Sequence, residues 1–170
     1  MRFQTCVLLA AAVLPSLAAA QSPVAEAFRH NAADVGRNLI GAAERMPADK
    51  YDYKPTPAQM SFGDIVNHLS MGNDFLCGAI TGMNAPTRDK VSVSDGKDAL
   101  VRRLRETFQF CNETLGHLDD SKLSEQLTVF GMTMSRAGVE TLTTGDWADH
   151  YSQAAIYLRL NGLLPPTAKK

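Results

Sequence analysis

Residues 136–162 read RAGVETLTTGDWADHYSQAAIYLRLNG, and their reading decides the fold. Val139, Leu142, Thr143, Ala154 and Tyr157 fall on one side of a 3.6-residue period, the mark of a helix with one buried face. Gly162 stops the pattern and Pro165-Pro166 follow, a helix end that cannot be extended. The stretch from about Arg136 to Asn161 therefore predicts one long helix.

Upstream, the same period recurs three times. Ser22-Pro23 starts a first helix as N-cap and first-turn proline. Phe28, Ala32, Val35, Leu39, Ala42, Ala43 and Met46 form its apolar face, and Pro47 ends it. The connection from Asp49 to Pro57, with Tyr51, Tyr53 and two prolines, predicts ordered but non-helical chain. Ser61 and Asp64 resemble a capping box opening a second helix that reaches about Thr81. Phe62, Ile65, Val66, Leu69, Leu76 and Ile80 are its buried side. After a loop over 82–96, a third helix from about Lys97 to Leu118 buries Leu100, Leu104, Phe108, Cys111, Leu115 and Leu118. Its Arg102, Arg103, Arg105, Glu106 and Glu113 predict a solvated face. Residues 127–134 suit either a short extended piece or the lead-in to the last helix. Four helices of about 20 residues without strand alternation predict an all-α four-helix bundle.

Composition agrees. The chain has 170 residues, 45% hydrophobic and 21% charged, with net charge -1. These values exclude a disordered chain, a collagen repeat and a disulfide-dense miniprotein. No Lys/Arg cluster provides a nucleic-acid footprint.

Residues 1–20 read as a cleaved secretory signal. Arg2 precedes the apolar run Cys6 to Leu14, Pro15 breaks it, and Ala18-x-Ala20 suits cleavage before Gln21. The expected domain is then 21–170, periplasmic or secreted, with no membrane anchor. Of the cysteines, Cys77 and Cys111 remain, and an even pair in an oxidising compartment predicts a disulfide. Both lie at or near buried faces, so the sulfurs can meet between helices; two separate buried thiols are the alternative.

Polar residues on apolar faces mark a candidate site. Asp146 and His150 are spaced i, i+4 and project within roughly 20° of the centre of the last helix's buried side. His68 lies at the flank of the second helix's apolar face, with Gly72 one turn on. A buried carboxylate is costly unless paired or bound to a cation. His68, Asp146 and His150 are thus candidate ligands for a divalent metal such as Zn, Ni, Fe or Mn. Three protein ligands leave a position open, as catalytic sites do. The competing reading is an Asp146–His150 hydrogen-bonded pair with His68 in the core. His30 and His117 fall off the apolar faces and predict exposed side chains. Asp149 points about 100° from His150, and Tyr151, Gln153 and Tyr157 are candidates to line a pocket.

The closing pattern His150-x-x-Gln153, Tyr157-Leu158-Arg159-x-x-Gly162 and Pro165-Pro166 is similar to that of the DinB/YfiT-like family. The stretch Lys50-Tyr-Asp-Tyr-Lys-Pro-Thr-Pro, followed by Ser61-Phe62-Gly63 and Ile65-Val66-Asn67-His68-Leu69, resembles a second family signature. The resemblance implies a four-helix bundle of up-down-down-up type and a metal site of three histidines. His68 and His150 occupy the first and third ligand positions. Asp146 stands where the family usually has histidine, a departure that keeps a ligating group. The implied function is a metal-dependent hydrolase or transferase, including thiol transferase, acting on a small molecule. The alternative is a non-catalytic bundle that binds a ligand or partner through a degenerate site. Homodimerisation through helix faces is a further expectation.

Overall fold

A computed structural model describes residues 22–168. The secretory-signal reading of residues 1–20 lies outside the described residues. Four helices carry the fold: α1 (Pro23–Arg45), α2 (Phe62–Thr81), α3 (Gly96–Leu115) and α4 (Arg136–Leu160). Between α3 and α4 lies a hairpin of β1 (Gln126–Val129) and β2 (Met132–Ser135). The fold is mainly helical, as the periodicity predicts, and the extended alternative holds for residues 126–135.

α2 packs most extensively on α3, α1 on α3 and α4, and α2 on α4. The ends fix the directions. Lys97, at the start of α3, donates to the carbonyls of Glu44 and Met46 at the end of α1. Asn73 of α2 meets Thr107 of α3 and Trp147 of α4, and Tyr157 of α4 reaches Met60 just before α2. α1 and α4 therefore run one way and α2 and α3 the other, an up-down-down-up bundle.

Parallel neighbours α2 and α3 need a connection that returns the full length of a helix. A 20-residue helix is about 30 Å long. The extended segment 82–92 reaches on the order of 36 Å, enough to return as a strap. Arg88 pins it, with Nε 2.8 Å from Asp74 Oδ2 and Nη2 donating to the Glu106 carbonyl at 3.2 Å. Arg103 donates to the carbonyl of Asp89 at 2.7 Å. The predicted solvated face of α3 is thus partly covered, and Arg103 and Glu106 are half-buried.

The starts of α2 and α4 are capped by their own N-cap side chains. The Asp64 N–H donates to Ser61 Oγ and the Ser61 N–H to the Asp64 carboxylate, both at 3.0 Å, closing the expected capping box. The Gly138 N–H donates to Ser135 Oγ at 3.1 Å at the start of α4. Ser22 does not cap α1. Asp120 does so from the α3–β1 connection, accepting from the N–H groups of Val24 and Ala25 at 3.1 and 2.8 Å. A carboxylate suits the positive end of a helix dipole.

In the β1–β2 hairpin, Val129 pairs with Met132 across the two-residue turn Phe130-Gly131. Both turn residues have positive φ, 51° and 74°, as the tight turns favoured in hairpins require.

The core runs through all four helices. Trp147 is its largest member, 1% exposed. Its indole lies parallel to Phe28 of α1 at 5.8 Å between centroids and is tilted on Phe108 of α3 at 5.7 Å. Its Nε1 donates to Asn73 Oδ1 of α2 at 2.7 Å. One helical turn beyond Asn73, Cys77 is disulfide-bonded to Cys111 of α3, with Cα atoms 5.3 Å apart. Both cysteines are fully buried.

Near the start of α4, Arg136 and Glu140 are also buried. Arg136 Nη2 bonds Glu125 Oε2 at 2.5 Å. Among the described residues, neither carboxylate oxygen of Glu140 has a hydrogen-bond partner. Burial pushes the Glu140 carboxyl above the usual carboxylate range, Arg136 opposing and Asp120 adding to the effect.

Two outcomes are expected. The double variant Cys77→Ala, Cys111→Ala loses about 3–4 kcal/mol of stability, the constraint of a loop of about 34 residues; urea unfolding measures it. Glu140 binds its proton more tightly folded than unfolded. The stability this contributes is present at acidic pH and declines as pH rises from the ordinary carboxylate value to its raised folded value. Glu140→Gln therefore raises Tm relative to the parent at pH 8 and leaves it nearly unchanged at pH 4, read by thermal melts at both.

Candidate metal centre

Trp147 sets the rotation of α4. With the indole held by α1, α2 and α3, Asp146 falls roughly 100° to one side of it and His150 roughly 60° to the same side. Both then face the flank of α2 that carries His68. The sequence reading centred the buried face on Asp146 and His150. The structure centres it on Trp147, the bulkiest side chain of the helix, and moves the two polar groups to its edge. His150 remains buried, Asp146 keeps 27% side-chain exposure and His68 46%. At the edge, water offsets part of the desolvation cost that a central carboxylate would carry.

The three side chains come together. One potential ligand atom from each lies within 4.8 Å of the other two. Asp146 Oδ1 is 3.7 Å from His68 Nε2 and 3.4 Å from His150 Nδ1. The imidazole rings are stacked at 4.7 Å between centroids, 22° from parallel. These separations exceed the about 2.7–2.9 Å of a charge-assisted N–H···O bond. The carboxylate thus stands beside both rings without the tight hydrogen bond of a simple Asp–His pair. His68 is exposed, not a core histidine.

His150 Nδ1 lies 2.8 Å from the backbone carbonyl oxygen of Asp146. A carbonyl only accepts, so this contact puts the proton on Nδ1 and leaves the Nε2 lone pair free. Ligating histidines are commonly oriented by such a bond through their other nitrogen.

Two imidazoles and a carboxylate suit a divalent transition metal. An ion bonded at about 2.1 Å holds tetrahedral ligands roughly 3.4 Å apart. Closing the observed spread requires rotation of the side chains, of which His68 is half-exposed.

The cluster opens on a cleft of about 880 Å³ between α2, α4 and the hairpin. Each helical wall is a regular stripe. On α2 it runs His68, Met71, Gly72, Phe75, an i, i+3, i+4, i+7 series. On α4, Leu142, Gly145, Asp146 and Asp149 continue the same spacing. A Cβ at Gly72 or Gly145 would meet nothing within 4 Å, so both glycines leave open space beside the cluster. Phe75 packs against Phe130 of the hairpin turn at 4.8 Å between centroids, spanning the cleft's far end.

The other sequence candidates have ordinary roles. His30 and His117 are exposed. Tyr151 is hydrogen-bonded to Thr167 Oγ1 at 2.8 Å and holds the C-terminal segment. Tyr157 is buried, donates to the Met60 carbonyl at 2.9 Å and meets Tyr53 edge-on. Gln153 donates to Asp149 at 2.7 Å, and Asp149 is exposed at the cleft rim. Sequence reasoning missed Met71, Phe75 and Phe130. Their signal was the second stripe on α2, beside the core stripe and interrupted by glycine.

Comparison with known proteins agrees with the four-helix fold. The family model described as the DinB superfamily matches residues 31–154. A DinB-like protein from Bacillus subtilis has a similar fold, with TM-score 0.67 and 19% identity over 85% of this chain and 99% of that one. A DinB-like protein from Bacillus cereus ATCC 10987 gives TM-score 0.72 and 16% identity over 85% of this chain and 97% of that one. Comparison with curated proteins finds no match. The family match spans most of the chain and the solved relatives share its bundle, so this chain belongs to the DinB superfamily.

Proposed function

We propose that this protein is a divalent-metal-dependent hydrolase or transferase acting on a small molecule, with His68, Asp146 and His150 as metal ligands. The observation that carries the reading is the convergence of those three side chains, from two helices, with His68 and Asp146 lining a cleft. A structural cation has no need of the cleft. A catalytic one does, because its remaining positions must be reached by substrate.

When bound, a divalent cation supplies Lewis-acid polarisation of a ligated oxygen or sulfur. The chain supplies the rest. His150 is held by its Nδ1 contact to the Asp146 carbonyl and packs against the ring of His68. Asp146 contributes negative charge, which favours a hard cation more than a third imidazole would. The apolar walls exclude water around a bound molecule, and Asp149 at the rim is a further carboxylate able to accept a proton.

Export is part of the same proposal. The signal-like residues 1–20 support it, and so does the Cys77–Cys111 bridge, since disulfides persist in oxidising compartments. Among the described residues no helix is long and apolar enough to cross a membrane.

The test is calorimetric titration of metal-stripped protein with zinc and with nickel. The parent is expected to bind one equivalent. His68→Ala and His150→Ala each weaken binding about 100-fold, comparable to or larger than losses seen on removing outer-shell partners. His30→Ala leaves it unchanged, and Asp146→His retains it. Absence of uptake by the parent, or undiminished uptake by His68→Ala, rejects the reading.

A further inference from the structure

We propose that the cleft takes a largely apolar molecule carrying one metal-ligating head, with the head at His68, Asp146 and His150 and the body lying toward Phe75 and Phe130. The inference names the substrate class of the proposed metal site and rests on that reading for the head alone.

The cleft has two unlike ends. Its His68 and Asp146 end is polar. Beyond them the walls are Met71, Phe75, Phe130, Met134 and Leu142. Met71 is 65% exposed and Phe130 63%. Such side chains scattered singly need no explanation, but here they face one concave space. About 880 Å³ lies within the range of small-molecule sites, roughly 300–1,000 Å³. Among the described residues no Lys or Arg lines the cleft, and the carboxylates Asp146 and Asp149 do. Beyond the metal that the head would ligate, the lining offers a polyanion such as a nucleotide or sugar phosphate no further counter-charge. A molecule with one ligating atom and a hydrocarbon body needs none.

The hairpin turn gives an independent sign. Phe130 sits at φ 51°, a left-handed conformation that a bulky residue adopts at a cost and that Asn or Gly adopts readily. The turn thus carries a strained aromatic where a relaxed polar residue would serve the backbone better. The ring is not buried to stabilise the core. It projects over the cleft onto Phe75. Strain kept at a ligand-facing position is a mark of use.

Gly72 and Gly145 complete the argument. Alanine would favour helix at either place, and among the described residues nothing hinders a Cβ there. Their lack of side chains keeps the passage between the cluster and the apolar end open.

Two probes separate head from body. Acetohydroxamate and octanohydroxamate share one metal-binding head and differ only in tail. Titrated into the zinc-loaded protein, the octanoyl compound is expected to bind at least about 30-fold more tightly, each buried methylene contributing up to severalfold. Phe130→Asn, whose turn is relaxed and whose Tm is unchanged or higher, reduces that ratio at least threefold. Gly145→Leu fills the passage and reduces it toward one. N-phenyl-1-naphthylamine, an apolar dye with no ligating anion, is expected to fluoresce with metal-free parent and with His68→Ala, and to be excluded by Gly145→Leu.

Equal affinity for the two hydroxamates in the zinc-loaded parent overturns the proposal, as does dye uptake that Gly145→Leu leaves untouched. Failure of zinc uptake with dye binding retained rejects the metal site and leaves the apolar cleft standing. A dimer that dissociates as dye is added, seen by sedimentation, overturns assignment to a small molecule and gives the cleft to a second copy of the chain.

Discussion

The indole of Trp147 is the contact on which the rest of the bundle turns. It touches Phe28, Asn73 and Phe108, one partner from each of the other three helices. A single side chain thus sets how α4 is rotated against everything around it. The hydrogen bond to Asn73 adds a constraint that apolar packing lacks. A buried indole N–H left without an acceptor costs about 1–3 kcal/mol, so rotations that break the bond are disfavoured even where they preserve apolar contact. Asn73 also donates to Thr107 at 3.2 Å, which ties α3 to the same register.

This rotation has a functional consequence. Asp146 precedes Trp147 and His150 follows it by three residues. With the indole central, both are carried to the α2 side of the helix and neither can be moved without moving the core. The α4 ligands are positioned by packing one and three residues away, on a rigid helix, which is how a site gains precision. The edge location also resolves a conflict. A carboxylate at the centre of the bundle would need a partner to offset its desolvation. At the edge it remains half in water, facing two imidazoles and an open cleft.

The topology makes the cleft available. α2 and α3 run parallel and are joined by a long strap, anchored by Arg88 on Asp74 and on the backbone at Glu106, and by the Cys77–Cys111 bridge. That pair is held together firmly. The α2–α4 seam has no such staple and is wedged open at one end by the β1–β2 hairpin. Gly72 and Gly145, lacking side chains, leave the space beside the cluster unfilled.

The amino-acid sequence by itself determined the four helices and the Ser61–Asp64 cap, and it proposed, with alternatives, the cysteine pairing and the grouping of His68 with Asp146 and His150. Each is a pattern of short range or of face against face: a period, a spacing of three or four residues, or a residue of the wrong polarity on an apolar stripe. Tertiary structure alone decided the rotation of α4, the capping of α1 by Asp120 in place of Ser22, the partial burial of Arg103 and Glu106 beside the strap, and the cleft between two glycine-bearing stripes. These depend on which groups far apart in the chain meet. Helical periodicity gives the angle between residues of one helix, whereas the direction in which that helix faces is a property of its neighbours, and here it is Trp147 among three of them that decides it.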